Sequence, residues 1–167
     1  MKNVLNAAKN ERGLTLIELL AVIVILGIIA AIAVPSIGGI IDNSKKDAHI
    51  ANAEQMVSSA RLAQVSDLAV DEENGTYEYS IEDLVEGGYI ENVESPGNNG
   101  PYDHSNSTVE IDNSGDGDGD DGNENPTYTI KLAAEEGGNY ISDETIDALR
   151  GSEDDEGREL VDLNGDN

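Results

Sequence analysis

The stretch Gly13-Leu14-Thr15-Leu16-Ile17-Glu18-Leu19-Leu20 opens an apolar run that lasts to Ile41, and it decides how the rest of the chain is read. From Leu14 to Ile41 there are 28 residues and a single charge, Glu18. As a helix the run is about 42 Å long at ~1.5 Å per residue, more than the roughly 30 Å hydrocarbon core of a bilayer requires. Residues 1–13 are polar, with Lys2, Lys9 and Arg12 against Glu11. That basic flank keeps the first residues in the cytoplasm by the positive-inside rule.

Three readings fit this segment. In the first it is a signal peptide, with Leu19 to Ala30 as the apolar region and Ala31-Ile32-Ala33 as a small-x-small cleavage site. In the second it is a plain membrane anchor. In the third it is a segment that is processed and then assembled. Glu18 bears on the choice. A carboxylate costs roughly 2.5–3.5 kcal/mol at a membrane centre and less near an interface. A signal peptide or a simple anchor has no need of it. A segment that later meets a positive charge inside an assembly does.

Gly13 to Leu20 resembles the type IV prepilin processing motif, and the strong likeness covers about residues 9–36. The resemblance implies cleavage after Gly13 by a membrane-embedded prepilin peptidase, followed by methylation of the new amino terminus on Leu14. Glu18 then becomes the fifth residue of the mature chain, where the family places its glutamate. It also implies that Glu18 pairs with the N-terminal amine of a neighbouring subunit, so that the pair sets the axial register. Pro35 falls where many members carry a helix-breaking proline. It lacks an N–H and clashes with the carbonyl of Ala31, so a bend is expected there. Two departures stand out: the family usually has Phe at the position of Leu14, and many pilins close a C-terminal loop with a Cys pair that this chain lacks.

Beyond the apolar run the pattern changes. Ile50, Ala53, Val57, Ala60 and Ala63 recur at steps of three and four, which predicts a second half of one long helix over 42–70, packed under a small sheet. The repeat is too short for a free coiled coil. Ser80-Ile81-Glu82-Asp83 has the form of a capping box, and Gly87-Gly88 forms a stop, predicting a short helix Ile81–Glu86. The stretch from Ile81 to Ile90 resembles a segment common in Gram-positive pilins and pseudopilins. Strands are predicted at Thr108–Ile111, at Thr127–Leu132 and, shorter, at Tyr140-Ile141, with a helical turn or two within Ser142–Leu149. Residues 151–167 are polar and are predicted to be disordered. The expected fold is α+β: a long N-terminal helix whose first half spans a membrane, packed on a small antiparallel β-sheet head. The expected divisions are a leader at 1–13, the hydrophobic helix at 14–41, the amphipathic half at 42–70, an acidic head at 71–150 and the tail at 151–167.

Charge is concentrated in that head. From Asp71 onward there are 29 acidic residues against Lys131, Arg150 and Arg158, a side-chain charge of −26. Such a domain repels nucleic acid and anionic lipid and suits high salt, divalent cations or basic partners. Within it, Asp112, Ser114, Asp116, Asp118 and Asp120 alternate with glycines in a loop of hard oxygen ligands. Calcium takes six to eight such oxygens, so a calcium site and a solvated acidic hairpin tip are both open. The match to an EF-hand loop ends after Gly117, since position 12 would be Asn123. No other cofactor is expected.

The absence of Cys excludes a disulfide framework, a Cys zinc site and a Cys nucleophile. The two histidines, His49 and His104, belong to no catalytic motif and are expected on the surface. No enzyme is expected. The resemblance implies a structural subunit of a type IV pilus-like filament, a single-pass membrane protein first and an extracellular filament afterwards. Its implied partners are other copies of itself and other pilins, the prepilin peptidase and methyltransferase, the membrane and an assembly platform, with no direct nucleic-acid contact. The alternatives are a pseudopilin of a type II secretion or DNA-uptake machine and, in a different class, a secreted acidic calcium-binding protein released after Ala33.

Overall fold

A computed structural model describes residues 15–66, 68, 72–73, 75–113, 125–151 and 156–165. The chain divides into two units, one ending at Ile40 and the other running from Ile41 to Asn167. The helix α1 (Leu16–Val65) contributes its first part to one unit and its second part to the other.

In the first unit, residues from Leu16 to Ile40 are helical, and nearly all of them are exposed. The run is rich in Leu, Ile, Val and Ala, and it is long and apolar enough to cross a membrane. A helix satisfies its backbone internally, which is what a bilayer interior demands of a spanning segment. Pro35 lies inside α1, and helix is present on both sides of it.

The second unit is the α+β head. From Ile41 to Val65, α1 buries His49, Ala53, Met56, Val57, Ser59, Ala60 and Ala63. The sheet is an antiparallel meander in the order β1 (Glu72–Glu73), β2 (Thr76–Ser80), β3 (Thr108–Asp112), β4 (Thr127–Ala133), β5 (Asn139–Thr145). Period-2 alternation sets its two faces. Tyr79 pairs with Val109 and Val109 with Ile130, all buried. The next row, Glu78, Glu110 and Thr129, faces outward. Burying the apolar row stabilises the head by roughly 1.5–3 kcal/mol per large side chain.

The short helix α2 (Ile81–Glu86) forms as its sequence predicts. Ser80 Oγ accepts from Asp83 N at 3.0 Å, and Asp83 Oδ2 accepts from Ser80 N at 2.9 Å. At its other end Tyr89 N donates to Leu84 O and Gly88 N to Val85 O, with Gly88 at φ +75°. This is a Schellman stop, and only glycine takes that backbone without strain.

Two expectations need correcting. The strand at Tyr140-Ile141 extends over seven residues, Asn139–Thr145, paired along β4 from Ala133 to Thr129 with register shifts between Ile130 and Leu132 and between Leu132 and Ala133. The tail predicted to be disordered is folded over 156–165. After α3 (Ile146–Arg150), the helix α4 (Glu156–Glu159) packs so tightly that a Cβ on Gly157 would lie 1.8 Å from Leu149 O. Val161 and Leu163 are buried, Asp162 N donates to Tyr140 O at 2.9 Å, and Leu163 O accepts from Asn98 N at 2.8 Å. The segment's polar composition conceals apolar side chains at alternate positions and a backbone that pairs with β5.

Candidate functional site

The N-terminal edge of α1 is built by Thr15 and Glu18. Thr15 is the residue before the first helical one, so Glu18 is the third residue of the helix. Thr15 donates to Glu18 Oε2 from both its backbone N and its hydroxyl, each at 2.9 Å. Glu18 N donates back to Thr15 Oγ1 at 3.3 Å. This is a reciprocal capping box, the kind of cap whose loss costs about 1 kcal/mol. The carboxylate therefore sits where the helix macrodipole favours negative charge. It is the one charged side chain from Thr15 to Ile41, on a surface otherwise made of exposed aliphatic groups.

A family model described as the prokaryotic N-terminal methylation motif matches residues 8–34. The chain carries the class III prepilin signal of type IV pilins and pseudopilins. The matched span contains Glu18, its Thr15 cap and most of the first unit's helix. Neither curated proteins nor solved structures yielded a match. The signal and the apolar helix together fit a membrane-anchored precursor and point to a structural subunit rather than an enzyme.

The other residues singled out in the sequence are placed as follows. Gly13 and Leu14, on either side of the expected cleavage, lie outside the described residues. Asp112 ends β3, paired with Thr76 and Thr127. Ser114, Asp116, Asp118 and Asp120 lie outside the described residues, and no group of three or more metal-ligating side chains occurs among those that are described.

The head holds a second polar constellation that the sequence reading missed. His49 was expected at the surface and is fully buried. Its Nδ1 meets the Tyr102 hydroxyl at 2.7 Å, and that hydroxyl also accepts from Asn52 Nδ2 at 3.1 Å. The Tyr102 hydroxyl thus bridges two α1 side chains, Asn52 and His49. Nε2 is buried with no hydrogen-bond partner. The ring packs 4.5 Å from that of Tyr140, whose hydroxyl donates to Gly100 O at 2.7 Å. Burial pushes His49 down to about 4, and Lys45 one turn away adds repulsion. Burial likewise drives the Tyr102 hydroxyl far above its ordinary range. The group is a neutral structural lock that ties α1 to the β-rich part of the head. The buried stripe gave a usable signal, since His49 stands four residues before Ala53 on the same face.

A cleft of about 300 Å³ lies between α1 and the C-terminal helices, lined by Asp47, Ile50, Ala51, Glu54, Leu149 and Arg150 among others. Arg158 grips Asp47 through Nε at 2.6 Å and Nη2 at 2.9 Å. Arg150 Nε meets Glu54 Oε1 at 2.8 Å, and Lys46 Nζ donates to Arg158 O at 2.9 Å. The Arg158 fork holds the Asp47 carboxyl below its ordinary range, and the Glu54 carboxylate raises Arg150. Two of the three basic residues after Asp71 thus fasten α3 and the tail to α1.

Proposed function

We propose that the chain is made as a prepilin, cleaved after Gly13, methylated on the amine of Leu14 and polymerised through its N-terminal helix into a type IV pilus-like surface filament. One observation carries the reading. The matched motif contains Glu18, the single charge between Leu14 and Ile41, held at the first turn of a helix whose first half is otherwise apolar on every side. Inside a bundle of such helices an unpaired carboxylate is strongly unfavourable, whereas an ion pair with a fixed partner specifies register.

Cleavage after Gly13 supplies that partner. It creates an α-amine on Leu14, next to the capping residue Thr15, so every mature subunit presents one cation and one carboxylate at the same end of its helix. Glu18 of one subunit then takes the Leu14 amine of the next. Within a lone subunit the Thr15 cap satisfies Glu18 in the meantime. The Glu18→Ala variant tests the role. It should be cleaved normally and remain in the membrane, while filament yield falls by at least about tenfold, the factor that 1.4 kcal/mol represents. Unchanged filament yield refutes the role assigned to Glu18. A pseudopilin of a secretion or DNA-uptake machine would share this processing. Long filaments on expressing cells, lost on deletion, favour the pilus subunit.

A further inference from the structure

Of the three basic side chains from Asp71 onward, Arg150 and Arg158 are committed to ion pairs with α1, and Lys131 is left over. Lys131 follows the outward-facing Thr129 by two residues, so it stands on the outer face of β4, half-buried and opposite Thr108. Glu110 lies diagonally across on β3, a spacing that long side chains span. Even so, among the described residues Lys131 makes no ion pair and no hydrogen bond. A lysine without a partner among 29 acidic residues stands apart from both arginines.

The backbone beside Lys131 departs from regular sheet. Ile130 pairs with Glu144 and Leu132 with Ile141, so Ser142 and Asp143 together stand opposite Lys131. This is a β-bulge, a device that re-aims side chains beside sites. Asp143 has φ +49°, the single positive φ outside glycine among the described residues, and backbone of that kind collects at functional positions. Next to Lys131 opens a pocket of about 200 Å³. Its floor is the buried pair Ala133 and Ala134. One wall is the turn that holds Asp103 and Asn106, and the other is the β4–β5 turn with Asn139. In that second turn Gly137, at φ +101°, leaves open space where a Cβ would stand.

The chemistry of the pocket selects its occupant. The Asp103 carboxylate is taken up by its own turn: Oδ1 accepts from Ser105 N and Asn106 N at 3.1 Å each, and Oδ2 accepts from Asn106 Nδ2 at 2.7 Å. With those oxygens occupied and an ammonium alongside, a metal ion is disfavoured. A polyphosphate is repelled by the −26 carried from Asp71 onward, which one lysine does not offset. An apolar ligand would find only two alanine methyls beneath it. What the pocket offers is one ammonium, the side-chain amide of Asn139 and the Oδ1 of Asn106. These suit a ligand with one carboxylate and several hydroxyls. At ~30 Å³ per water the volume holds roughly six waters, or one sugar ring in their place.

We propose that this pocket binds a small sugar acid, with Lys131 Nζ taking its carboxylate and the Asn139 and Asn106 amides taking its hydroxyls. The charged contact supplies most of the attraction, and the amides fix the orientation of the ring. No residue of α1 lines the site, so the inference stands independently of whether the chain polymerises.

The test titrates glucuronate into the full chain, dispersed in detergent, and follows binding by calorimetry and by NMR of the ligand. The expected Kd is about 1 mM, the range open to so small a ligand. Glucose has the hydroxyls without the carboxylate, and acetate has the carboxylate without the hydroxyls. Each should bind at least about tenfold more weakly than glucuronate. Lys131→Met should weaken glucuronate by at least about tenfold while the thermal transition of the head stays in place. Asn139→Asp keeps the side-chain shape and sets a carboxylate against the ligand, and it should cause a loss of the same size. If Lys131→Met does not fold, Asn139→Asp decides alone. No saturable binding of glucuronate by the wild-type chain up to about 10 mM overturns the proposal. So does binding that both variants leave unchanged, and so does glucose that binds as tightly as glucuronate.

Discussion

The two halves of α1 belong to one helix and meet opposite surroundings. To Ile40 its side chains are aliphatic, with Glu18 as the single charge, and nothing else in the described chain covers them. From Ile41 to Val65 it carries six charges in balance and buries seven residues under a sheet. The second half is stabilised by the head's own core. The first half obtains its stabilisation from lipid or from other helices, because an apolar surface of that extent is not left in water. The contrast separates what folds the subunit from what assembles it, and the two can be damaged independently.

The sharpest way to break that contrast is to place the same charge in each half. Val57→Asp buries a carboxylate at a site 2% exposed, and it should destabilise the head by more than about 3 kcal/mol, read as loss of its cooperative thermal transition. Cleavage after Gly13 should survive that change. Ile25→Asp should leave the thermal transition of the head intact and cost roughly 2.5–3.5 kcal/mol of membrane insertion, read as a shift to the non-integrated fraction. If Ile25→Asp melted the head, the separation of roles would be wrong.

A smaller effect lies within the head. His49 is held down to about 4 in the folded state, against an ordinary value of 6.5. Between those values the unfolded chain binds a proton that the folded chain excludes. The stability this group supplies is therefore complete above 6.5 and is lost as pH falls toward 4. Carboxylates titrate in the same window, so the comparison must be with His49→Phe. That variant should lack up to roughly 3 kcal/mol of the wild-type acid destabilisation, measured by denaturant unfolding across this range. An identical pH profile would contradict the burial assigned to His49.

The smallest effect belongs to the tail. Arg158→Ala removes the fork on Asp47, a pair whose carboxylate side chain is half exposed, so the loss should be about 0.2–1 kcal/mol and should shrink in high salt. The same variant should speed proteolysis within 156–165. A tail that remains equally protected would show that Val161 and Leu163 hold it without the ion pair.

Much of this architecture is written in local patterns. The apolar run, the capping box at Ser80 and Asp83, the glycine stop and the alternation of β4 are each short-range signals whose physical cause lies within a few residues. What escaped reading depends on distant partners. Val161 and Leu163 become core residues where Tyr140 of β5 accepts from Asp162 N and Asn98 donates to Leu163 O. Glu72 and Glu73 form a strand against the propensity of glutamate because they pair with Tyr77 and Thr76. His49 required the tyrosines at 102 and 140, more than fifty residues away. One miss was local: Thr15-Leu16-Ile17-Glu18 has the capping-box spacing, and the interest of Glu18 as a membrane charge obscured its role as a cap. At the candidate site the motif was legible in full, since its meaning lies in the order of residues and not in tertiary contacts.

The central claim is that this helix is processed and then polymerised. Mass spectrometry and N-terminal sequencing of the chain recovered from surface filaments test it most directly. The account predicts a subunit that begins at N-methylated Leu14 and retains Glu18 and the whole of the apolar helix. A chain that begins at Val34, or one that still carries residues 1–13, would contradict it.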